Sequence, residues 1–233
     1  MGRTFRIISF WIIFISLPIL LLLNSVEIAA FDLDFYSAQY DENQVMENTG
    51  IEKKELMNIT EKMLDYLKGD REDLEVYGQV NGQKQLIFDE RDQAHMVDVK
   101  ELFSEGFVLR NLSLAFFLIA LVYLAFIKGQ KRKAAQGVFL STVITIFILI
   151  LLGMIVATDF SKYFDSFHSI FFDNDLWRLD PKESILIHLV PLGFFQNIMV
   201  KITLYFSGSL LICILLSGWY LRHSKKRNYI FTR

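Results

Sequence analysis

Residues 164–181 read Phe-Asp-Ser-Phe-His-Ser-Ile-Phe-Phe-Asp-Asn-Asp-Leu-Trp-Arg-Leu-Asp-Pro, one histidine set among carboxylates and aromatic rings. Imidazole is the side chain that gains and loses a proton near neutrality, so His168 is a natural acid–base group. The apolar residues Phe160, Tyr163, Phe164, Phe167 and Phe171 recur at intervals of three and four, with Ser161, Asp165 and Ser169 opposite. That spacing predicts an amphipathic helix lying in a membrane interface. At about 100° per residue, His168 falls roughly 60–80° from the centre of the apolar stripe, at the boundary between lipid and water. An imidazole there is well placed as a general base for chemistry on a lipid. Asp173, Asn174, Asp175 and Asp180-Pro181 form a turn-rich segment whose side chains can cap a helix or hold a neighbour, and Trp177 is an interfacial anchor.

A second histidine lies in Phe88-Asp-Glu-Arg-Asp-Gln-Ala-His-Met-Val-Asp-Val-Lys100. On a helix His95 and Asp98 share a face, so the carboxylate could fix one imidazole tautomer; the same spacing also suits a plain surface pair. There is no Gly-x-Ser-x-Gly elbow, Walker loop or His-Glu-x-x-His in the chain. Ser169 follows His168 directly, and adjacent helical residues do not face each other. A histidine enzyme built on these residues must therefore take its nucleophile from the substrate. Cys213, the only cysteine, lies in an apolar run, which leaves no disulfide framework and no cysteine metal site. Nothing calls for a cofactor.

The elements that must position these groups belong to a membrane protein. The chain is 53 % hydrophobic and 15 % aromatic, with three prolines. Four apolar runs, near 7–26, 107–127, 137–157 and 198–221, each have about the twenty residues a helix needs to cross the hydrocarbon core. The organisation expected is a first transmembrane helix over 1–30, a head over 31–106, a second span over 107–128 and a turn over 129–136. A third span over 137–158, a loop over 159–196, a fourth span over 197–221 and a basic tail over 222–233 complete it. Arg3 and Arg6, then Lys128, Lys131, Arg132 and Lys133, then Arg222, Lys225, Lys226 and Arg227 flank the spans on one side. By charge asymmetry both termini and the short turn are cytoplasmic, and the head and second loop are extracellular. The net charge of −2 averages a basic inside and an acidic outside, and gives no sign of a nucleic-acid partner. The N-terminus also has the layout of a signal peptide ending at Ala29-Ala30, but Asn24, Ser25 and Glu27 interrupt the run and favour an uncleaved helix.

In the head, Ile51, Leu56, Ile59, Met63, Leu64 and Leu67 predict a helix over 52–67 that ends at Lys68-Gly69-Asp70. Segments 74–80 and 84–88 flank Asn81-Gly82, a strong hairpin signal. The fold class expected is an α-helical integral membrane protein with four spans, a small extracellular α+β head and one interfacial helix. Arg110 and Lys201 open the second and fourth spans at ends that face outward, where helix dipole and charge asymmetry both disfavour a cation. Each needs either phosphates to snorkel to or a partner such as Asp98, Asp180 or a substrate carbonyl.

This layout, with Thr49-Gly50, Tyr66-Leu67, His95-Met-Val-Asp98-Val and Phe167-His168-x-x-Phe171-Phe172-x-Asn174-Asp175-x-Trp177-x-Leu179-Asp180-Pro181, resembles the lipoprotein intramolecular transacylase family of low-GC Gram-positive bacteria. The resemblance covers essentially the whole chain. One departure is Pro191-Leu192-Gly193-Phe194-Phe195, where the family would be expected to carry an acid after the proline. The resemblance implies an enzyme of the bacterial cell membrane that moves the sn-2 acyl chain of a diacylglyceryl-cysteine lipoprotein to the cysteine α-amine. Its partners would be diacylated lipoprotein and membrane lipids. In that reading His168 is the base, His95 with Asp98 a second acid–base or orienting pair, and Asp175 and Asp180 supports. Arg110, Lys201, Phe171, Asn174 and Trp177 would contact substrate. Two other classes fit the residues: a metal-dependent lipid hydrolase ligated by His95, Asp98, His168 and Asp175, and a non-enzymatic membrane sensor or chaperone.

Overall fold

A computed structural model describes residues 2–127 and 129–230. Lys128, and the side chains of Lys225, Lys226 and Arg227, on which part of the orientation argument rests, lie outside the described residues. In chain order the elements are α1 (Gly2–Ala30), α2 (Leu33–Glu42), α3 (Val45–Thr49), α4 (Lys53–Lys68), β1 (Tyr77–Val80) and β2 (Gln83–Leu86). Then follow α5 (Glu90–Val122), which continues into a π-helical turn at Tyr123–Ile127, α6 (Lys131–Val156), α7 (Phe160–Phe171), α8 (Leu186–Leu189) and α9 (Leu192–Ile230).

Four helices, Arg3–Ala30, Glu90–Phe126, Lys131–Val156 and Leu192–Ser224, are long and apolar enough to cross a membrane. Only 11–28 % of the most apolar window of each is buried within the protein, so lipid must cover the rest. The sequence placed the second span at 107–127, whereas α5 begins at Glu90. Its first turns carry Glu90, Arg91, Asp92, Asp98, Lys100, Glu101 and Glu105. Those charges keep that end out of hydrocarbon and leave the residues from Phe107 onward to cross it.

The chain divides into two compact units: Met1–Val26 with Val108–Thr158 and Ile202–Arg233, and Glu27–Phe107 with Asp159–Lys201. In the first, Ile13, Ala120, Leu124, Ala125 and Ala134 form a buried cluster. Small residues set the spacing of α1 and α6: a Cβ on Gly137 would lie 3.3 Å from Ile13. Across the same contact the Ser141 hydroxyl donates to the Phe14 carbonyl at 2.7 Å, as is usual where helices pack in lipid.

The second unit holds the head elements. Helix α4 buries Leu56, Ile59, Thr60, Met63, Leu64 and Leu67 on one face, as its periodicity predicts, and ends on Gly69 at φ +88°. Strands β1 and β2 pair antiparallel around Asn81 (φ 50°) and Gly82 (φ 79°), the type I′ geometry that Asn-Gly favours. A two-stranded sheet is marginal alone. This one rests on α4: a Cβ on Gly78 would lie 3.0 Å from Ile59. The strands are shorter than expected: beyond Tyr77 and Leu86 the pairing continues only through the Ile87 amide, which donates to the Val76 carbonyl at 2.9 Å, and Leu74, Val76, Ile87 and Phe88 are buried in the core.

Helix α2 has no counterpart in the sequence reading, since its buried residues Tyr36, Gln39 and Tyr40 include an amide and make no apolar stripe. It is held by specific bonds instead. Asp32 caps its first turn, accepting from the Phe35 amide at 3.2 Å. The same carboxylate pairs with the Lys201 ammonium, and the Asn197 side chain donates to Gln39 at 2.8 Å. Tyr36 Oη donates to the Ala30 carbonyl at 3.1 Å.

Candidate active site

Helix α7 runs from Phe160 to Phe171, as the periodicity predicts, capped by Asp159, whose carboxylate accepts from the Lys162 amide at 3.1 Å. Phe167, Ile170 and Phe171 stay exposed on one side, while His168 is turned inward at 8 % exposure. Its Nδ1 lies 2.8 Å from the Phe164 carbonyl. A carbonyl can only accept, so in the neutral ring the proton sits on Nδ1 and the lone pair is on Nε2. Trp177 stacks on this imidazole at a centroid distance of 4.8 Å and an angle of 25°. Phe164 meets it edge-on at 4.5 Å and Phe172 lies at 5.7 Å. The ring is therefore fixed both in plane and in tautomer.

His95, on the second turn of α5, faces it with ring centroids 6.1 Å apart. Phe172 closes on His95 edge-on at 5.3 Å. His95 is also 8 % exposed, and its Nδ1 is a buried nitrogen with no hydrogen-bond partner. Leaving such a group unsatisfied costs about 1–3 kcal/mol. Burial, then the neighbouring His168, push its pKa down to about 4, so the ring is neutral at ordinary pH. The pair is thus a neutral His95 and the His168 ring, facing each other in an aromatic enclosure.

The start of α5 is fastened to the segment after α7 at three points. The Arg91 guanidinium donates to the Asp175 carbonyl. Asn174 Nδ2 donates to Asp98 Oδ2 at 2.9 Å, and the Ser184 hydroxyl donates to Asp92 Oδ1 at 2.6 Å. These ties hold the stretch carrying Trp177 beside the α5 turn that carries His95. Asp92 is fully buried; burial raises its pKa, and the Ser184 bond partly offsets this. It also shares reciprocal capping bonds with Asp89, its own amide donating to Asp89 Oδ1 at 2.7 Å.

The other candidate residues take varied positions. The Asp98 carboxylate is bonded to Asn174, and no hydrogen bond joins it to His95; an amide donor from another segment satisfies it better than a ring three residues away on its own helix. Asn174 is accordingly a tie between segments, and its Oδ1 also accepts from the Leu176 amide at 2.9 Å. Asp175 pairs with Arg178 at 3.5 Å on the surface. Asp180 caps its turn, accepting from the Lys182 amide at 2.9 Å. Phe171 packs on Phe167 at 4.7 Å. The compensation Lys201 needs comes from Asp32, with the Phe35 ring 4.4 Å from its ammonium, rather than from Asp98 or Asp180. Arg110 belongs to the membrane unit, where its guanidinium donates to Asn111 Oδ1 at 3.1 and 3.2 Å. Among the described residues no three His, Cys, Asp or Glu side chains gather as a metal-binding group, so His95, Asp98, His168 and Asp175 do not form a ligand set.

Sequence reasoning missed Phe172, Arg91, Asp92 and Ser184. A buried aspartate inside the charged run before His95 carries no periodic signature. Phe172 could have been found as the residue one turn beyond His168.

Residues 11–195 match the family model for the lipoprotein intramolecular transacylase Lit. An uncharacterized protein of Aquifex aeolicus (strain VF5) is 25 % identical over 192 residues, 80 % of this chain and 78 % of its own length. The membrane integral lipoprotein intramolecular transacylase Lit from Bacillus cereus has a solved structure similar to this one, with a TM-score of 0.81 and 22 % identity over 97 % of this chain and 100 % of that one. A form of that protein with a histidine-to-arginine mutation gives 0.76 at 21 % identity, over 97 % of this chain and 96 % of that one. At these identities the structural likeness speaks to the fold.

Proposed function

The chain belongs to the lipoprotein intramolecular transacylase family, and from that premise we propose that it moves the sn-2 acyl chain of a diacylglyceryl-cysteine lipoprotein to the α-amine of the same cysteine. The product is an N-acyl, S-monoacylglyceryl lipoprotein. The observation that carries the reading is the His168 ring, held by the Phe164 carbonyl at Nδ1 and stacked on Trp177 so that Nε2 is the nitrogen left to act, opposite a neutral His95.

Nucleophile and ester are parts of one substrate, so the protein need only hold them in a reactive pose and manage protons. Such positioning is worth about 7–11 kcal/mol in well-oriented intramolecular reactions. His168 Nε2 takes the proton that the amine loses as it attacks the ester carbonyl. The proton is then given to the departing glycerol oxygen as the carbon–oxygen bond breaks, which leaves the enzyme unchanged. The unpartnered Nδ1 of His95 is a docking point for a polar group of the substrate. Asp98, through Asn174, and Asp175, through Arg91, support the segment that carries Trp177.

The exposed Phe167, Ile170 and Phe171 fit a helix seated at a lipid interface. Mass spectrometry of a lipoprotein's N-terminal peptide tests the activity. Cells expressing the protein should yield a cysteine peptide acylated on nitrogen with one chain left on glycerol, and cells lacking it should not. A diacylglyceryl cysteine with a free amine in both would overturn the assignment.

The orientation follows from the basic flanks. With Cys213 replaced by alanine, Glu61→Cys and Asp173→Cys should react with an impermeant maleimide in intact cells, and Lys131→Cys and Arg222→Cys only after lysis. Labelling of position 131 from outside would invert the topology.

A further inference from the structure

The second unit contains a cleft of about 420 Å³ that the acyl-transfer chemistry does not use. Asn48 and Thr49 at the end of α3, Val80 and Gln85–Ile87 of the hairpin, Asp89 and the segment 181–185 with His188 line it. That size lies within the range of ligand-binding clefts, and its lining is polar with both signs of charge.

The hairpin supplies an unfinished backbone edge at this cleft. The pairs Val80–Gln83 and Gly78–Gln85 face each other across the two-residue turn, and the Ile87 amide donates to the Val76 carbonyl at 2.9 Å. Hydrogen-bonded and non-bonded pairs alternate in an antiparallel ladder, so Lys84 and Leu86 send their N–H and C=O groups to the outer edge of β2. The sheet has two strands, and no other described segment bonds to those groups. Leu86 is itself in the wall of the cleft. Such an edge is a template for an extended chain, and backbone bonds accept any sequence.

The cleft adjoins the start of α5, the helix whose second turn carries His95. Ser184, in its wall, donates to Asp92, three residues before His95. Asp89, also in its wall, precedes His95 by six residues, about 9 Å along a helix, which three extended residues would cover. The geometry points to this cleft as the seat of the substrate's own polypeptide, its third to sixth residues after the lipidated cysteine lying as an added strand on the open edge of β2. This rests on the transacylase reading: the reacting amine is the polypeptide's N-terminus, so the chain leaves the site in one direction and needs a polar path.

The test uses full-length protein in lipid bicelles with two synthetic substrates, diacylglyceryl-cysteine followed by two or by ten residues. For the wild type the longer substrate should show a KM about tenfold lower, the worth of one or two net hydrogen bonds. Lys84→Pro removes an outward-pointing N–H without touching the ladder to β1. Gln85→Trp fills the cleft from an exposed position. Either variant should reduce the tenfold advantage to about onefold. Equal KM values for the two substrates in the wild type, or an undiminished advantage in both variants, would overturn the proposal.

A photoreactive benzoylphenylalanine at the fourth residue of the longer substrate gives a readout independent of turnover. Cross-links within 83–88 or 181–188 support the cleft, and cross-links confined to other segments overturn it. Cross-linking there without acyl transfer on either substrate would keep the cleft as a polypeptide site and remove the transacylase reading instead.

Discussion

Substituting His168 by alanine should lower formation of the lyso-lipoprotein by about 10²–10⁴-fold, the usual contribution of a positioned general base. The expectation rests on the geometry of the ring. The Phe164 carbonyl holds the proton on Nδ1, Trp177 fixes the plane, and no other described residue offers a free imidazole lone pair beside His95. Because His168 is buried, its removal also leaves a void, so the measurement needs a partner. His168→Asn keeps a polar side chain that can still donate to the Phe164 carbonyl but supplies no basic nitrogen, and it should be as inactive as alanine while retaining the wild-type melting profile in detergent. Conversion quantified by mass spectrometry decides the matter: either variant working at the wild-type rate would end the base assignment. Unchanged lipid chemistry on deleting the whole protein would favour the sensor or chaperone reading.

Blocking the substrate's amine should have the other large effect, complete loss of acyl transfer with the sn-2 ester left intact. The reason lies in the hydroxyls around the site. Ser166 donates to the Lys162 carbonyl at 2.8 Å and Ser169 to the Asp165 carbonyl at 3.0 Å, each along its own helix on the polar face of α7. The buried hydroxyl of Ser184 is committed to Asp92. None of them hydrogen-bonds to His168, and among the described residues no serine, threonine or cysteine is paired with that ring as an activated nucleophile would be. Ser161→Ala, Ser166→Ala, Ser169→Ala and Cys213→Ala should each retain activity, and no acyl-enzyme should accumulate when triacylated lipoprotein is supplied. Intact-mass analysis showing an added acyl group on the protein, or free fatty acid released from the N-blocked substrate, would replace the intramolecular mechanism with a ping-pong transferase or a lipase.

These two results separate what the enzyme does from what the substrate does for itself. If the amine must be free and His168 must be present, the protein's share of the chemistry is proton transfer and alignment. Trp177, Phe172 and the ties from Arg91 and Asn174 then act by keeping the two rings in place.

The parts of this protein that the sequence determines by itself are those set by local periodicity. Apolar runs of sufficient length made the four spans legible, and intervals of three and four made α4 and α7 legible almost to their ends. Asn81-Gly82 specified a hairpin because few residues tolerate two successive positive φ angles. The helical repeat gave the side of α7 on which His168 lies, but not that its ring is buried against Trp177 and His95 where a lipid–water boundary was expected. The tertiary structure decided which polar groups meet. It brought His95 to His168 from a distant segment, gave Asp98 to Asn174 and Lys201 to Asp32, and buried Asp92 against Ser184. It also made a helix of α2, whose bonds to Lys201 and Asn197 take the place of an apolar stripe. A helical repeat states which face a side chain occupies, but a carboxylate or an amide takes the partner that best replaces its lost water, and that partner is known only once the chain has closed on itself.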